Sequence, residues 1–190
     1  MIELKYPFDE NQIRALKAGD AVSITGPVHT GRDKFHKWFA DGNPIAVDFR
    51  DGALYHCGPV IVKDGEGWAV KAAGPTTSVR ENPYEPAFIA KSGVRIIIGK
   101  GGMDAATLAA MKKHGCVYVQ AVGGAAAVAA KALQKVMGVS YLKEFGAAEA
   151  CWHFDAVGFT GVVAMDAHGT SLFAKVAESS KRKLDEILAK

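Results

Sequence analysis

The spacing of apolar and polar positions divides the chain into two halves of different rhythm. Residues 9–16 read as a short helix opened by an acidic cap and closed near Gly19, followed by a brief apolar strand at 21–25. A turn at Gly26, Pro27, Val28 and His29 leads into a second helix. Thr30 with Asp33 three residues on has the form of a capping box, and Phe35, Trp38 and Phe39 give the apolar stripe. Gly42, Asn43 and Pro44 end that helix. Residues 53–62 and 68–73 alternate like strands around a turn at 64–67. From Val94 the rhythm becomes β-α-β: an apolar β-branched run at 94–98, an amphipathic helix at 103–114 ended by Gly115, and a strand at 117–121. Gly123 and Gly124 introduce an alanine-rich helix to about Val136, 162–165 is a further strand, and 172–188 is a long terminal helix. The pattern predicts one α/β domain over residues 1–190, a mixed sheet, open or closed into a compact barrel, with flanking helices.

Composition narrows the function classes. The chain has 190 residues, 49% hydrophobic and 23% charged, the balance of an ordinary globular protein. The net charge is only +3, and its densest source, Lys181 to Lys183, sits on a helical pattern and reads as a solvated face, so no nucleic-acid partner is expected. Residues 1–11 contain no apolar leader core, and no apolar run reaches the roughly 18 residues of a membrane span. Cys57, Cys116 and Cys151 form neither CxxC nor a pattern able to hold zinc or a complete iron–sulfur cluster. No metal is expected on this chain, and reduced thiols point to the cytoplasm.

Three loops collect polar residues at the ends of apolar elements, where α/β folds place their sites. In residues 26–36, GPVHTGRDKFH, Arg32 and Asp33 fall in the opening turn of a helix and His36 lies one turn along the same side as Arg32. A helix N-terminus attracts anions and an arginine there adds a fork for a carboxylate; the plainer reading is a capping Asp33 beside a surface cation. In residues 74–80, GPTTSVR, a proline-stiffened turn projects Thr76, Thr77 and Arg80. In residues 99–102 a lysine, Lys100, emerges from the end of a buried strand, a costly place unless it meets an anion. The string resembles a phosphate-binding loop, but Val94 stands where that motif needs glycine and Gly101 where it needs Ser or Thr. The histidines form no strong metal-ligand spacing, and Trp152 and Phe154 read as core or interface.

These loops, taken together with YHCGP at Tyr55, IGKGG at Ile98, VGGAAA at Val122 and MDAHG at Met165, resemble the C-terminal domain of class I fumarases and the β subunit of L-tartrate dehydratase. The resemblance covers most of the chain. It implies a swivelling β/β/α domain that closes over a larger α-type domain or subunit. That larger partner holds a four-iron, four-sulfur cluster, with one iron open to act as a Lewis acid on the substrate hydroxyl. It further implies a hydro-lyase: fumarate to L-malate first, L-tartrate to oxaloacetate as the alternative. Residue by residue, the family's substrate-binding cations fall on Arg32, Arg80 and Lys100 and its active-site threonine on Thr76, with Thr77 adjacent; Lys100 thus counts as both binding and catalytic. Asp33 and His36 would orient the arginine from behind. Val79 stands where the family commonly has glycine. An α2β2 assembly is implied, and a lone chain can self-associate through the surface meant for its partner. A non-catalytic anion-binding domain is the reading from another class.

Overall fold

The computed structural model describes residues 1–189. In chain order the elements are β1 (Ile2–Lys5), α1 (Glu10–Ala15), β2 (Ala21–Thr30), α2 (Asp33–Ala40), β3 (Ala53–Tyr55), β4 (Val60–Asp64) and β5 (Gly67–Ala72). A 3-10 turn (Ser78–Glu81) and α3 (Glu85–Ser92) lead to β6 (Ile96–Gly99), α4 (Ala105–His114), β7 (Val117–Gln120), α5 (Ala126–Ala132) and β8 (Leu133–Ser140). The chain finishes with α6 (Leu142–Phe145), β9 (Cys151–Met165) and α7 (Leu172–Leu188).

Seven strands form one mixed sheet in the order β1-β2-β3-β6-β7-β9-β8, and a further β2–β9 pairing closes β2, β3, β6, β7 and β9 into a barrel. The barrel is one of the two outcomes the sequence pattern allowed. β1, β2, β3, β6 and β7 run parallel, and β9 runs antiparallel to β2, β7 and β8. Strand alternation divides the core. Ala53, Tyr55, Ile96, Ile98, Val117 and Val119 join one apolar cluster with Val28, Phe154 and Phe159. The alternate residues Leu54, Ile97 and Tyr118 join a second with Phe35, Phe88 and Met111 of α2, α3 and α4. Because both faces are covered, these parallel strands read as unbroken apolar runs. Among the described residues no helix is long and apolar enough to cross a membrane.

The cap chemistry explains several elements. Asp9 accepts from the backbone N–H of Asn11 and Gln12 and opens α1, while Asp104 accepts from Thr107 N and Gly115, at φ +67°, closes α4. Four expectations are corrected. β2 does not end at Thr25: it continues through Gly26 and Pro27 across a bulge in its pairing with β9, where Gly26 (φ +133°) lies against Tyr6. The run 53–62 is two strands in two sheets. The alanine-rich helix stops at Ala132, after which the chain becomes β8, and the strand expected at 162–165 is the last part of the 15-residue β9.

The parallel direction places the C-terminal ends of β2, β3, β6 and β7 at one end of the barrel. From those ends emerge Arg32, His56, Lys100 and the loop after Gln120.

Candidate functional site

Arg32 is the N-cap of α2, directly after β2. Its Nη2 lies 3.2 Å from Glu149 Oε1, and its Nη1 donates to the carbonyl of Ala148 at 3.2 Å. Asp33 opens the helix, and its Oδ2 is 3.0 Å from Arg80 Nη2 and 4.0 Å from Arg32 Nη2. One carboxylate therefore holds two guanidiniums side by side and offsets their repulsion. The capping box does not form. Thr30 is buried at the end of β2, where its hydroxyl donates to Ala150 O and accepts from Trp152 N, so β9 rather than α2 uses it.

The third cation, Lys100, has its backbone fixed by its neighbours. Lys100 N donates to Thr76 O (3.3 Å), Ser78 N donates to Lys100 O (2.9 Å), and Thr76 N donates to His56 O (2.7 Å). The GPTTS segment thus lies like a short extra strand between the ends of β3 and β6, with Thr77 paired to Lys100. Thr76 is partly exposed and Thr77 exposed. Val79 stands where the family commonly has glycine, and its backbone is ordinary. It sits exposed in the 3-10 turn and is not among the positive-φ residues, so the turn does not demand glycine there.

Behind this rim lies a polar cluster of zero exposure: His36, His56, Ser78, Glu81 and Glu85. His36 Nδ1 donates to the carbonyl of Arg32 at 2.9 Å, and its Nε2 is 3.0 Å from Glu85 Oε2. His56 Nε2 reaches the same oxygen at 3.2 Å, and its Nδ1 meets Ser78 Oγ at 2.9 Å. Ser78 Oγ in turn meets the hydroxyl of Tyr118 at 2.9 Å. A Cβ on Gly99 would collide with Ser78 Oγ, so a glycine at the end of β6 is what lets that hydroxyl enter.

Charge in the cluster follows from burial and neighbours. Burial alone would raise Glu85, but the imidazoles of His36 and His56 bring it down to about 2. Burial works against a charged His36, yet Glu85 and then Glu81 outweigh it and the pKa is raised. Burial lowers His56 and pushes Glu81 up to about 7. The consistent state near neutrality is a His36 cation against a Glu85 anion, with His56 neutral.

Comparison with known proteins gives this arrangement a family. Residues 1–176 match the family described as Fumarase C-terminus. The chain belongs to that family. It is 50% identical over 187 residues, 98% of its length, to a Geobacillus stearothermophilus protein named fumarate hydratase class I, and spans 36% of that relative. It is 34% identical to a protein of Methanocaldococcus jannaschii named L(+)-tartrate dehydratase subunit beta, covering 97% of this chain and 99% of the relative. The Escherichia coli L(+)-tartrate dehydratase subunit beta is 30% identical, with 97% and 92% covered.

In this fumarase C-terminal domain the thiols do not suit an iron–sulfur cluster. Cys57 lies in one apolar cluster and Cys116 and Cys151 in the other. Burial raises all three thiols, Cys57 to about 12, which opposes the thiolate a cluster requires. Among the described residues, the one group of three or more metal-capable side chains is His36, His56 and Glu85, with no cysteine.

Of the residues expected from sequence, the structure joins Arg32, Asp33 and Arg80 through one carboxylate, and Thr76, Thr77 and Lys100 through backbone. His36 contacts the Arg32 carbonyl. The sequence reading missed Glu149, Ser78, Glu81, Glu85 and Tyr118, and took His56 as structural. The available signals were His56 within YHCGP and the i, i+4 spacing of Glu81 and Glu85.

Proposed function

We propose that this chain is the small, β-type subunit of an iron–sulfur hydro-lyase that adds water to fumarate to give L-malate. Residues 1–190 act as one domain that lends cations and a threonine to a site completed by a larger subunit. The observation that carries the reading is the Asp33-bridged pair Arg32 and Arg80, set beside a Thr76–Lys100 backbone pairing at the C-terminal ends of parallel strands. The similarity to a protein named fumarate hydratase class I supports it. Since the thiols here do not suit a cluster, the reading assigns the four-iron, four-sulfur cluster to the larger subunit, in an α2β2 cytoplasmic enzyme.

The chemistry follows from charge. Fumarate and malate are di-anions, and hydration across the double bond builds negative charge on one carboxylate as an aci-carboxylate. Arg32, Arg80 and Lys100 bind the carboxylates, and a cation fixed where that charge grows stabilises the transition state more than the ground state. Asp33 sets the two arginines side by side, and Glu149 holds Arg32 from its other side. Thr76 and Thr77 supply hydroxyls from a backbone fixed on two sides, suited to hydrogen bonding a carboxylate or hydroxyl.

A second reading is L-tartrate dehydratase, favoured by the match in length: the relatives with that name are covered over 99% and 92% of their own chains. The test is the anaerobic hydration rate of fumarate by this chain alone and mixed with an iron-loaded large subunit, followed by dehydration of L-tartrate. Activity with fumarate only in the mixture is the expected result. In that assembly Lys100→Ala and Arg80→Ala should each lower kcat/KM by about a hundredfold or more, roughly 3 kcal/mol of transition-state stabilisation. Wild-type rates in both variants would remove these residues from the site, and tartrate turnover without fumarate turnover would transfer the assignment to the second reading. Binding of a dicarboxylate without turnover in the assembled complex would leave an anion-binding domain.

A further inference from the structure

Glu85 is the first residue of α3 and stands outside the cation rim, yet one of its oxygens touches the two histidines that lead to opposite sides of the site. On one side His36 Nδ1–H donates a hydrogen bond to the carbonyl of Arg32, the N-cap of α2. On the other, His56 meets Ser78 Oγ, and the backbone N–H of Ser78 holds the carbonyl of Lys100. His56 also gives its own carbonyl to Thr76 N. A single buried carboxylate therefore bridges the Arg32 helix end and the Thr76–Lys100 loop from behind, where the exposed Asp33–Arg80 ion pair and the His36–Glu81 contact at 3.4 Å link the same segments nearer the rim.

The alternative use of three such groups is a metal ion, since His36, His56 and Glu85 present one ligand atom each. Geometry favours the charge bridge. His56 Nε2 already donates to Glu85 Oε2 within hydrogen-bond geometry, and the negative oxygen at the N-terminal turn of α3 suits a carboxylate paired to an imidazolium. Several buried atoms around it, His36 Nε2, both oxygens of Glu81 and Oε1 of Glu85 among them, have no hydrogen-bond partner, so the His36 arm at 3.0 Å is held by charge and any change in charge here is felt directly.

We propose that Glu85 is a positioning residue which, through His36 and His56, holds Arg32 and the Thr76–Lys100 loop in mutual register. It touches no substrate; it keeps two separately anchored parts of the site aimed at one place. The inference deepens the proposed dicarboxylate site and rests on it for its catalytic consequence, though not for the structural coupling itself.

The experiment uses the assembled enzyme with Glu85→Gln, which keeps the side-chain shape and removes the charge. Hydrogen–deuterium exchange should rise together in peptides covering residues 28–36 and 74–80, as well as at α3. In kinetics, kcat/KM for fumarate should fall by at least about tenfold, and the loss should be non-additive with Arg32→Ala, the double variant lying close to Arg32→Ala alone. Ser78→Ala, which cuts the His56 arm together with the Tyr118 contact and leaves the His36 arm intact, should raise exchange at 74–80 and leave 28–36 unchanged; it also serves if Glu85→Gln does not assemble. Exchange confined to α3, or kinetic losses that multiply with Arg32→Ala, would overturn the proposal. One equivalent of zinc in the wild-type enzyme that disappears in Glu85→Gln would overturn it in favour of a metal centre. If the wild-type assembly turns over neither fumarate nor tartrate while both loops still loosen together, the register device stands and the function reading fails.

Discussion

His36 and His56 meet at the carboxylate of Glu85, whereas His29 and His153, facing each other between β2 and β9, meet chiefly one another. In the second pair the two Nδ1 atoms are 3.0 Å apart, Ser140 Oγ lies 2.9 Å from His153 Nε2, and Cys151 Sγ is 4.0 Å from His153 Nδ1. No carboxylate pairs with either ring among the described residues. Burial, then the neighbouring imidazole, pushes His29 down to about 4, and burial lowers His153. One histidine of the first pair, His36, is thus cationic while both of the second are neutral, and the difference is the carboxylate of Glu85 with Glu81 beside it. A buried charge is kept where it ties the ends of α2 and β6 together, and excluded where two strands merely pack.

The largest effect that could break this comparison is Glu85→Ala. It leaves the buried His36 without its counter-charge, and removal of one partner of a buried pair costs about 3–5 kcal/mol. Denaturant unfolding at pH 7 should show a loss of that size, against less than about 1.5 kcal/mol for Ser140→Ala beside the other pair. Equal losses in the two variants would mean that the Glu85 pair carries no special charge.

Much of this molecule could be read in its sequence, and the failures have physical causes. α1, α4 and α7, with β6 and β7, were legible because end residues such as Asp9 and Gly115 and unbroken β-branched runs act locally. β2 and β9 were shortened because Gly26, Pro27, Gly158 and Gly161 look like turns, yet Gly26 serves a bulge and Gly161 packs against Val119. The run 126–136 reads as one helix because alanine carries no signal of where a helix must yield to a sheet edge; pairing with β9 supplies it. The cation rim was legible because each cation sits in a short polar motif. The network behind it was not: His56 meets Glu85 across 29 residues and Ser78 meets Tyr118 across 40, and no local spacing records such contacts.

The pH dependence sharpens the comparison with a smaller effect. For the His29–His153 pair the folded pKa values are depressed, so their contribution is present above the ordinary histidine value of 6.5 and is lost as pH falls toward about 4. For Glu85, depressed to about 2, the contribution is present above 4.5 and is lost only below that. Between pH 6.5 and 4.5 the wild type should therefore lose about 1–2 kcal/mol that His29→Gln does not lose. Parallel stability curves for the two proteins across that window would show that the strand pair does not titrate as its burial requires.

The smallest effect comes from the acid next to the charged pair. Glu81 is held up at about 7 by burial, so the fold favours its neutral form: its contribution is present below 4.5 and is lost as pH rises through about 7, where a second negative charge appears near Glu85 and Asp33. Glu81→Gln removes that ionisation and keeps the shape. Thermal unfolding should place the variant a few degrees above wild type at pH 8 and level with it at pH 4.5, since 1 kcal/mol corresponds to about 2–4 °C in a domain of this size. A variant less stable than wild type at pH 8 would mean that the Glu81 anion is needed by His36, and that the cluster shares its negative charge between two glutamates rather than concentrating it on Glu85.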